Sequence, residues 1–171
     1  MDNIILTGYM GCGKTTIGKN IAKRLGYTFV DTDEMIVEQQ QRSISEIFAA
    51  EGEAAFREME TALLKQLTDT KRNHLVISTG GGMPVREENR QLLSALGKVV
   101  YLKASPKTIF DRVKDDTTRP LLQCENPMQR IGEMLAVREP VYEAGASVVV
   151  DVNGLRQSEA AGEIIDRCKM L

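Results

Sequence analysis

The chain has 171 residues, 42% of them hydrophobic and 27% charged, which suits one globular domain with a real core. Its 22 basic and 24 acidic residues leave a net charge of −2, so composition makes no electrostatic case for nucleic acid, and no apolar run is long enough to predict a membrane span. Three scattered cysteines (Cys12, Cys124, Cys168) lack metal-ligand spacing, and a strand predicted from residue 3 leaves no room for a signal peptide; both point to a reducing, cytoplasmic setting.

The first element is the apolar run Asn3-Ile4-Ile5-Leu6-Thr7, of strand length. It leads into Gly8-Tyr9-Met10-Gly11-Cys12-Gly13-Lys14-Thr15-Thr16, which fits G-x-x-x-x-G-K-[ST] at every fixed position. Residues 16–25 then read as a helix, with Ile17, Ile21, Ala22 and Leu25 on one face and Gly26 as the stop. Strand, glycine loop and helix together let backbone N–H groups converge on a phosphate, and the helix adds its positive end. In that setting Lys14 reaches the β- and γ-phosphates and the Thr15 hydroxyl joins the shell of Mg²⁺. Gly11, Cys12, Gly13, Lys14, Thr15 and Thr16 are therefore the expected ATP contacts, with the identity of Cys12 incidental because loop backbone does the binding. A glycine-rich turn that binds nothing is the alternative, and five constrained positions with the right flanks argue against it.

Residues 28–31 form a second predicted strand, which delivers Asp31-Thr32-Asp33 at its C-terminal end, where ligands of open parallel sheets gather. A helix N-cap explains one of those aspartates; two beside a phosphate loop point to function. A short helix is expected over 34–41. Ser43-Ile44-Ser45-Glu46 is a capping box opening another, with Ile44, Ile47 and Phe48 on one side. Gly52 interrupts, and Phe56, Met59, Leu63, Leu64 and Leu67 continue a helical stripe. Arg57 and Glu60 share a face of it, and taken alone they read as a solvated surface pair.

The run Leu75-Val76-Ile77-Ser78-Thr79 has the unalternating apolarity of a buried parallel strand and ends in Gly80-Gly81-Gly82. Such a triplet marks close approach of backbone to a ligand, or an awkward turn. His74 lies at the other end of this strand and reads as a surface residue. Residues 86–96 are helical, 98–102 a fourth strand, and Ser105-Pro106 caps a helix carrying Arg112. Residues 114–126 are polar and aperiodic, with Thr118-Arg119-Pro120-Leu121-Leu122 inside, the pattern of either a disordered segment or a functional lid. A helix from Asn126-Pro127 is expected to reach Arg138, followed at once by Glu139-Pro140-Val141-Tyr142. The last strand spans 147–152 and the closing helix 157–170.

Five short strands alternating with helices predict a three-layer α/β fold, a parallel sheet flanked by helices with right-handed crossovers, in a single domain over 1–171. The ordered set of phosphate loop, Asp31-Thr32-Asp33, Phe56-Arg57…Glu60, Gly80-Gly81-Gly82, Arg119-Pro120-Leu121 and Arg138…Tyr142 resembles the shikimate kinases over nearly the whole chain. The resemblance implies a P-loop kinase fold of the nucleoside monophosphate kinase type and ATP-dependent phosphorylation of the 3-hydroxyl of shikimate, with Mg²⁺. It further implies that Arg57 and Arg138 clamp the shikimate carboxylate and that Asp33 binds the ring hydroxyls. Gly80, Gly81 and Gly82 would offer backbone donors, with the substrate segment running over about 33–61. Thr15 and, through water, Asp31 would hold Mg²⁺. Arg119 would swing in on the lid, Arg112 would assist on the nucleotide side, and Arg156 and Gln157 would meet adenine. Lys14, Asp33 and Arg119 are then the catalytic set, and a monomer with no nucleic-acid or membrane partner is the default assembly. The alternatives are a kinase of the same fold acting on gluconate or a nucleoside monophosphate, a GTPase switch suggested by Asp151-Val152-Asn153-Gly154, and a nucleotide-binding module without catalysis.

Overall fold

In the computed structural model, which describes residues 2–116 and 123–171, the first apolar run becomes the central strand of a sheet. Strand β1 (Asn3–Thr7) is buried at every position, as a strand covered on both faces must be. It pairs with β3 (Leu75–Ser78) on one side and β4 (Gly97–Lys103) on the other, while β2 (Thr28–Asp31) and β5 (Val148–Asp151) form the edges. All pairings are parallel and the order is β2-β3-β1-β4-β5, the predicted five-stranded α/β sheet.

Alternation along the buried strands feeds two cores. Ile4 and Leu6 of β1 pack with Val76 and Val100 on the face covered by α1 (Lys14–Leu25) and α7 (Gln157–Lys169). Ile5, one residue between them, packs with Ile77 and Val99 under α3 (Ile44–Asp69) and α4 (Glu87–Leu96). The short α2 (Thr32–Gln40) caps the second core through Ile36, and α5 (Pro106–Val113) and α6 (Pro127–Gly145) close the first. No helix among the described residues is long and apolar enough to cross a membrane.

Register decides where the functional ends meet. Leu6 lies opposite Ser78, and Ser78 opposite Asp31, so β1, β3 and β2 finish side by side. From β1 the chain crosses to β2 at one edge, whereas from β3 it crosses to β4 on the other side of β1. The crevice between β1 and β3 is thus the point where winding reverses, the usual ligand position in such sheets. The glycine loop leaves β1 there and the glycine triplet leaves β3.

Several expected boundaries shift for local reasons. Helix α2 begins at Thr32, so Asp33 lies in its first turn rather than on a loop; the Asp31 carboxylate caps it, accepting from the N–H groups of Asp33 and Glu34. Gly52, at φ 83 and ψ 173, breaks the helical path of α3 without ending the element. A 3₁₀ turn, Met83–Val85, follows the glycine triplet. Helix α6 does not stop near Arg138 but runs through Pro140 to Gly145. Proline deprives the Ala136 carbonyl of a donor, but both residues are exposed and water can serve that carbonyl, while Tyr142 beyond is buried. Residues 117–122 of the expected lid, Arg119 included, lie outside the described residues.

Candidate active site at the carboxyl edge of the sheet

The phosphate loop is shaped by glycines that adopt backbone conformations other residues resist. Gly11 has φ 73 and Gly13, the N-cap of α1, has φ 98. Lys14 bridges the loop: its Nζ donates to the carbonyls of Gly8 at 2.6 Å and Tyr9 at 3.1 Å. Thr15 and Thr16 are exposed beside it at the positive end of α1. Cys12 is not incidental. It is fully buried, and its Sγ lies so close to Gly8 that a side chain there would meet it at 2.9 Å, so a small apolar residue is needed beneath the loop. Arg112 of α5 leans over the loop, donating to the Gly11 carbonyl at 3.2 Å.

Across the crevice stand two carboxylates and two arginines. Glu60 is completely buried on α3 and accepts from Arg57 Nη1 at 2.8 Å, while Glu53 holds Nη2 at 3.1 Å. The pair is therefore not the solvated surface contact that its spacing suggests. Burial works against the Arg57 charge, but Glu60 and Glu53 more than offset it and hold the guanidinium above its ordinary pKa. Arg138 of α6 lies over the Tyr9 ring, 5.8 Å from its centroid, and joins none of the ion pairs among the described residues. Its charge is available to a ligand.

Asp33 and Glu60 both face Gly80. A side chain at Gly80 would meet Asp33 Oδ1 at 2.7 Å and Glu60 Oε1 at 3.2 Å, and neither of these buried oxygens has a hydrogen-bond partner among the described residues. Burial, and then Asp31, push the Asp33 pKa up against the pull of Lys14 and Arg57. Burial also raises Glu60; Arg57 opposes it and the Asp33 charge adds to it. Two desolvated acceptors without donors are expensive to maintain in a fold and suit a ligand bearing hydroxyls.

The glycine triplet is glycine for closeness, since none of its residues has positive φ. A Cβ at Gly82 would collide with the Arg57 guanidinium, as one at Gly80 would with Asp33. The Gly80 N–H donates to Thr32 Oγ1 at 3.1 Å, so of the three expected backbone donors this one is already engaged. That correction was not legible from the residues, because Thr32 faces Gly80 only through strand pairing. Together these groups line one cleft of about 550 Å³, reached also by Met10, Ile44, Phe48 and Phe56. The aromatic pair Phe48–Phe56, with centroids 5.2 Å apart, supplies an apolar wall; the sequence shows each only as an apolar position on a helical stripe. Phe48 is partly exposed and Phe56 buried, a difference that nothing in the sequence signals.

Other expected residues lie elsewhere. Arg156 and Gln157 open α7 away from this cleft; Arg156 pairs with Glu159 at 2.7 Å and both are exposed. Asp151 folds its carboxylate onto the Asn153 amide in a turn after edge strand β5, separated from β1 by β4, which is no place for a nucleotide switch. No cluster of three or more His, Cys, Asp or Glu side chains able to hold a metal occurs among the described residues. Thr15 and Asp31 line the same cleft, and because among the described residues the helix N–H groups engage only Oδ1 of Asp31, its Oδ2 can serve a hard cation. That donor set fits a Mg²⁺ held mainly by phosphates and water.

Residues 10–169 match the family model of shikimate kinase. A shikimate kinase from Thermodesulfovibrio yellowstonii is 47% identical over 171 residues, covering 100% of this chain and 97% of the relative. The solved structure of shikimate kinase from Acinetobacter baumannii in complex with shikimate superposes with a TM-score of 0.91 at 38% identity, covering 99% of this chain and 94% of that one. A deoxyadenosine kinase from M. mycoides, at 20% identity and a TM-score of 0.59, shares the fold.

Proposed function

The chain belongs to the shikimate kinase family, and from that premise we propose how the residues of its cleft divide the work. The reaction is ATP-dependent phosphorylation of the 3-hydroxyl of shikimate, giving shikimate 3-phosphate and ADP in aromatic amino acid biosynthesis. ATP is the co-substrate and Mg²⁺ accompanies it, neutralising charge on the phosphate oxygens when bound.

Arg57 and Arg138 take the carboxylate of the acceptor from α3 and α6, each charge-assisted contact being worth about 1.5–3 kcal/mol. Asp33 receives the hydroxyl to be phosphorylated; a carboxylate with a raised pKa suits an atom that must orient a proton and accept it. The N–H groups of Gly81 and Gly82 complete the acceptor side. On the donor side the Gly11–Thr16 backbone cradles the phosphates, and Lys14 exchanges the carbonyls of Gly8 and Tyr9 for the transferred group. Thr15 and Asp31 hold the cation. Arg112 and Arg119 neutralise charge on the nucleotide, and Arg156 and Gln157 serve the adenine end. We further assign the reaction to the cytoplasm on the scattered cysteines, without a nucleic-acid partner on the small net charge, and to a monomer without a membrane partner as the default for a chain with no apolar excess.

The observation that carries this reading is the convergence of the phosphate loop, two arginines and two unsatisfied carboxylate oxygens on one cleft. Coupled ADP-release assays should show turnover with shikimate and none above background with gluconate or nucleoside monophosphates. Equal turnover of any of those acceptors would overturn the assignment of Arg57, Arg138 and Asp33 to shikimate.

A further inference from the structure

Tyr142 lies one helical turn beyond Arg138 on α6 and is buried at 1% exposure. Its O–H donates to the Gly81 carbonyl at 2.6 Å and also faces the Arg138 guanidinium, and its ring packs tilted against Tyr101 with centroids 5.1 Å apart. The peptides around that carbonyl are anchored by other means. Gly80 N–H is held by Thr32, Met83 N–H by the Gly80 carbonyl, Val85 N–H by the Gly82 carbonyl, and the Met83 carbonyl by Asn89 Nδ2. The peptide between Gly81 and Gly82 joins two residues without Cβ atoms, so sterics do little to fix its plane. In a trans peptide the C=O and the following N–H point opposite ways, so fixing the carbonyl fixes the amide. Here that amide belongs to Gly82, the residue packed against the Arg57 guanidinium.

We propose that Tyr142 is a positioning residue of the acceptor pocket: by holding the Gly81 carbonyl it aims the Gly82 N–H toward the substrate anion beside Arg57. The inference rests on the acceptor-pocket reading of Arg57 and Arg138. It also makes α6 contribute twice to one pocket, through the Arg138 charge and, one turn on, through the orientation of a donor that belongs to another element.

Tyr101 supplies the control. Its hydroxyl is equally buried, in the same aromatic pair, but has no partner among the described residues, so Tyr101→Phe makes the same chemical change without touching the glycine turn. The experiment compares wild type, Tyr142→Phe, Tyr101→Phe and Arg57→Ala, varying shikimate and ATP separately and recording thermal melts. Tyr142→Phe should raise the shikimate KM about three- to tenfold, the size of one hydrogen bond, with ATP KM and kcat within about twofold of wild type. Tyr101→Phe should leave both KM values unchanged. In ¹H–¹⁵N spectra of the free protein, the Gly82 amide should shift in Tyr142→Phe more than the Gly80 amide. An unchanged shikimate KM in Tyr142→Phe, a rise in that KM with the Gly82 amide unshifted (the sign of a route through Arg138), a parallel rise in both KM values, or loss of the folded state in Tyr142→Phe alone would each overturn the positioning role. Arg57→Ala separates the two levels. If it raises the shikimate KM while Tyr142→Phe does not, only the positioning role fails; if it leaves that KM unchanged, the pocket reading fails first.

Discussion

Asp33 shows how one side chain is kept at some cost to the fold. Its folded-state pKa lies above the ordinary 3.8, chiefly through burial and then through Asp31. Between 3.8 and that raised value the native chain holds more protons at this site than the unfolded chain does. Stability therefore falls as pH rises through the window, and the full penalty is present above it. In protein free of nucleotide and Mg²⁺, Asp33→Asn should melt at a higher temperature than wild type near neutral pH. The advantage should shrink as pH falls and vanish below about 3.8. The same variant should lose kcat by about 100-fold or more, because an amide cannot take the hydroxyl proton. A melt series across the acid range checks the first outcome and steady-state kinetics the second. An Asp33→Asn protein no more stable than wild type at neutral pH would mean that Lys14 and Arg57 already offset the burial.

At the scale of elements, the glycine turn after β3 separates stability from function. The group that a Gly82 side chain would strike is the far end of Arg57, a flexible side chain rather than backbone, so the turn itself can keep its path. Gly82→Ala should therefore keep its fold at a cost of about 1–3 kcal/mol, as the guanidinium moves off buried Glu60, while that displacement raises the shikimate KM about tenfold or more. A large loss of melting temperature would show that the backbone, rather than Arg57, had yielded. Helix α6 illustrates the same division of labour. It tolerates Pro140 on its exposed side, and the turn beyond the proline carries buried Tyr142 to the glycine turn. The residues predict a helix only as far as Arg138, because the tertiary contact that retains the next turn is not written in that stretch.

Over the whole molecule, chemistry and support occupy opposite ends of the sheet. At the end away from the cleft, buried Asn3 donates to the carbonyls of Arg72 at 2.8 Å and Leu96 at 3.0 Å, and accepts from the Leu75 N–H at 2.9 Å. One side chain thereby ties the start of β1 to the segments entering β3 and β4. Asn3→Ala would leave those groups short of partners and should destabilise the protein by about 2–3 kcal/mol. Denaturant titration measures that loss. Both KM values, determined well below the melting temperature, should stay within about twofold of wild type. A selective change in either would show that register at the far end reaches the cleft.

Much of this molecule was legible in the residues because the signals are local. The phosphate loop is a spacing of glycines, lysine and threonine, and its strand and helix flanks follow from apolar period and capping. The five strands likewise announce themselves as short apolar runs, and their alternation with helices implies a parallel sheet. Tertiary structure alone decided what lies opposite what. The burial of Glu60 that makes Arg57 a fixed cation, the meeting of Asp33 and Glu60 at Gly80, and the engagement of the Gly80 N–H by Thr32 depend on β2 lying beside β3. The packing of Cys12 beneath Gly8 depends on the fold of the loop over β4, whose Leu102 carbonyl closes the same space. Strand order and helix docking are set by the summed burial of two cores, and no short stretch of sequence encodes either of them by itself.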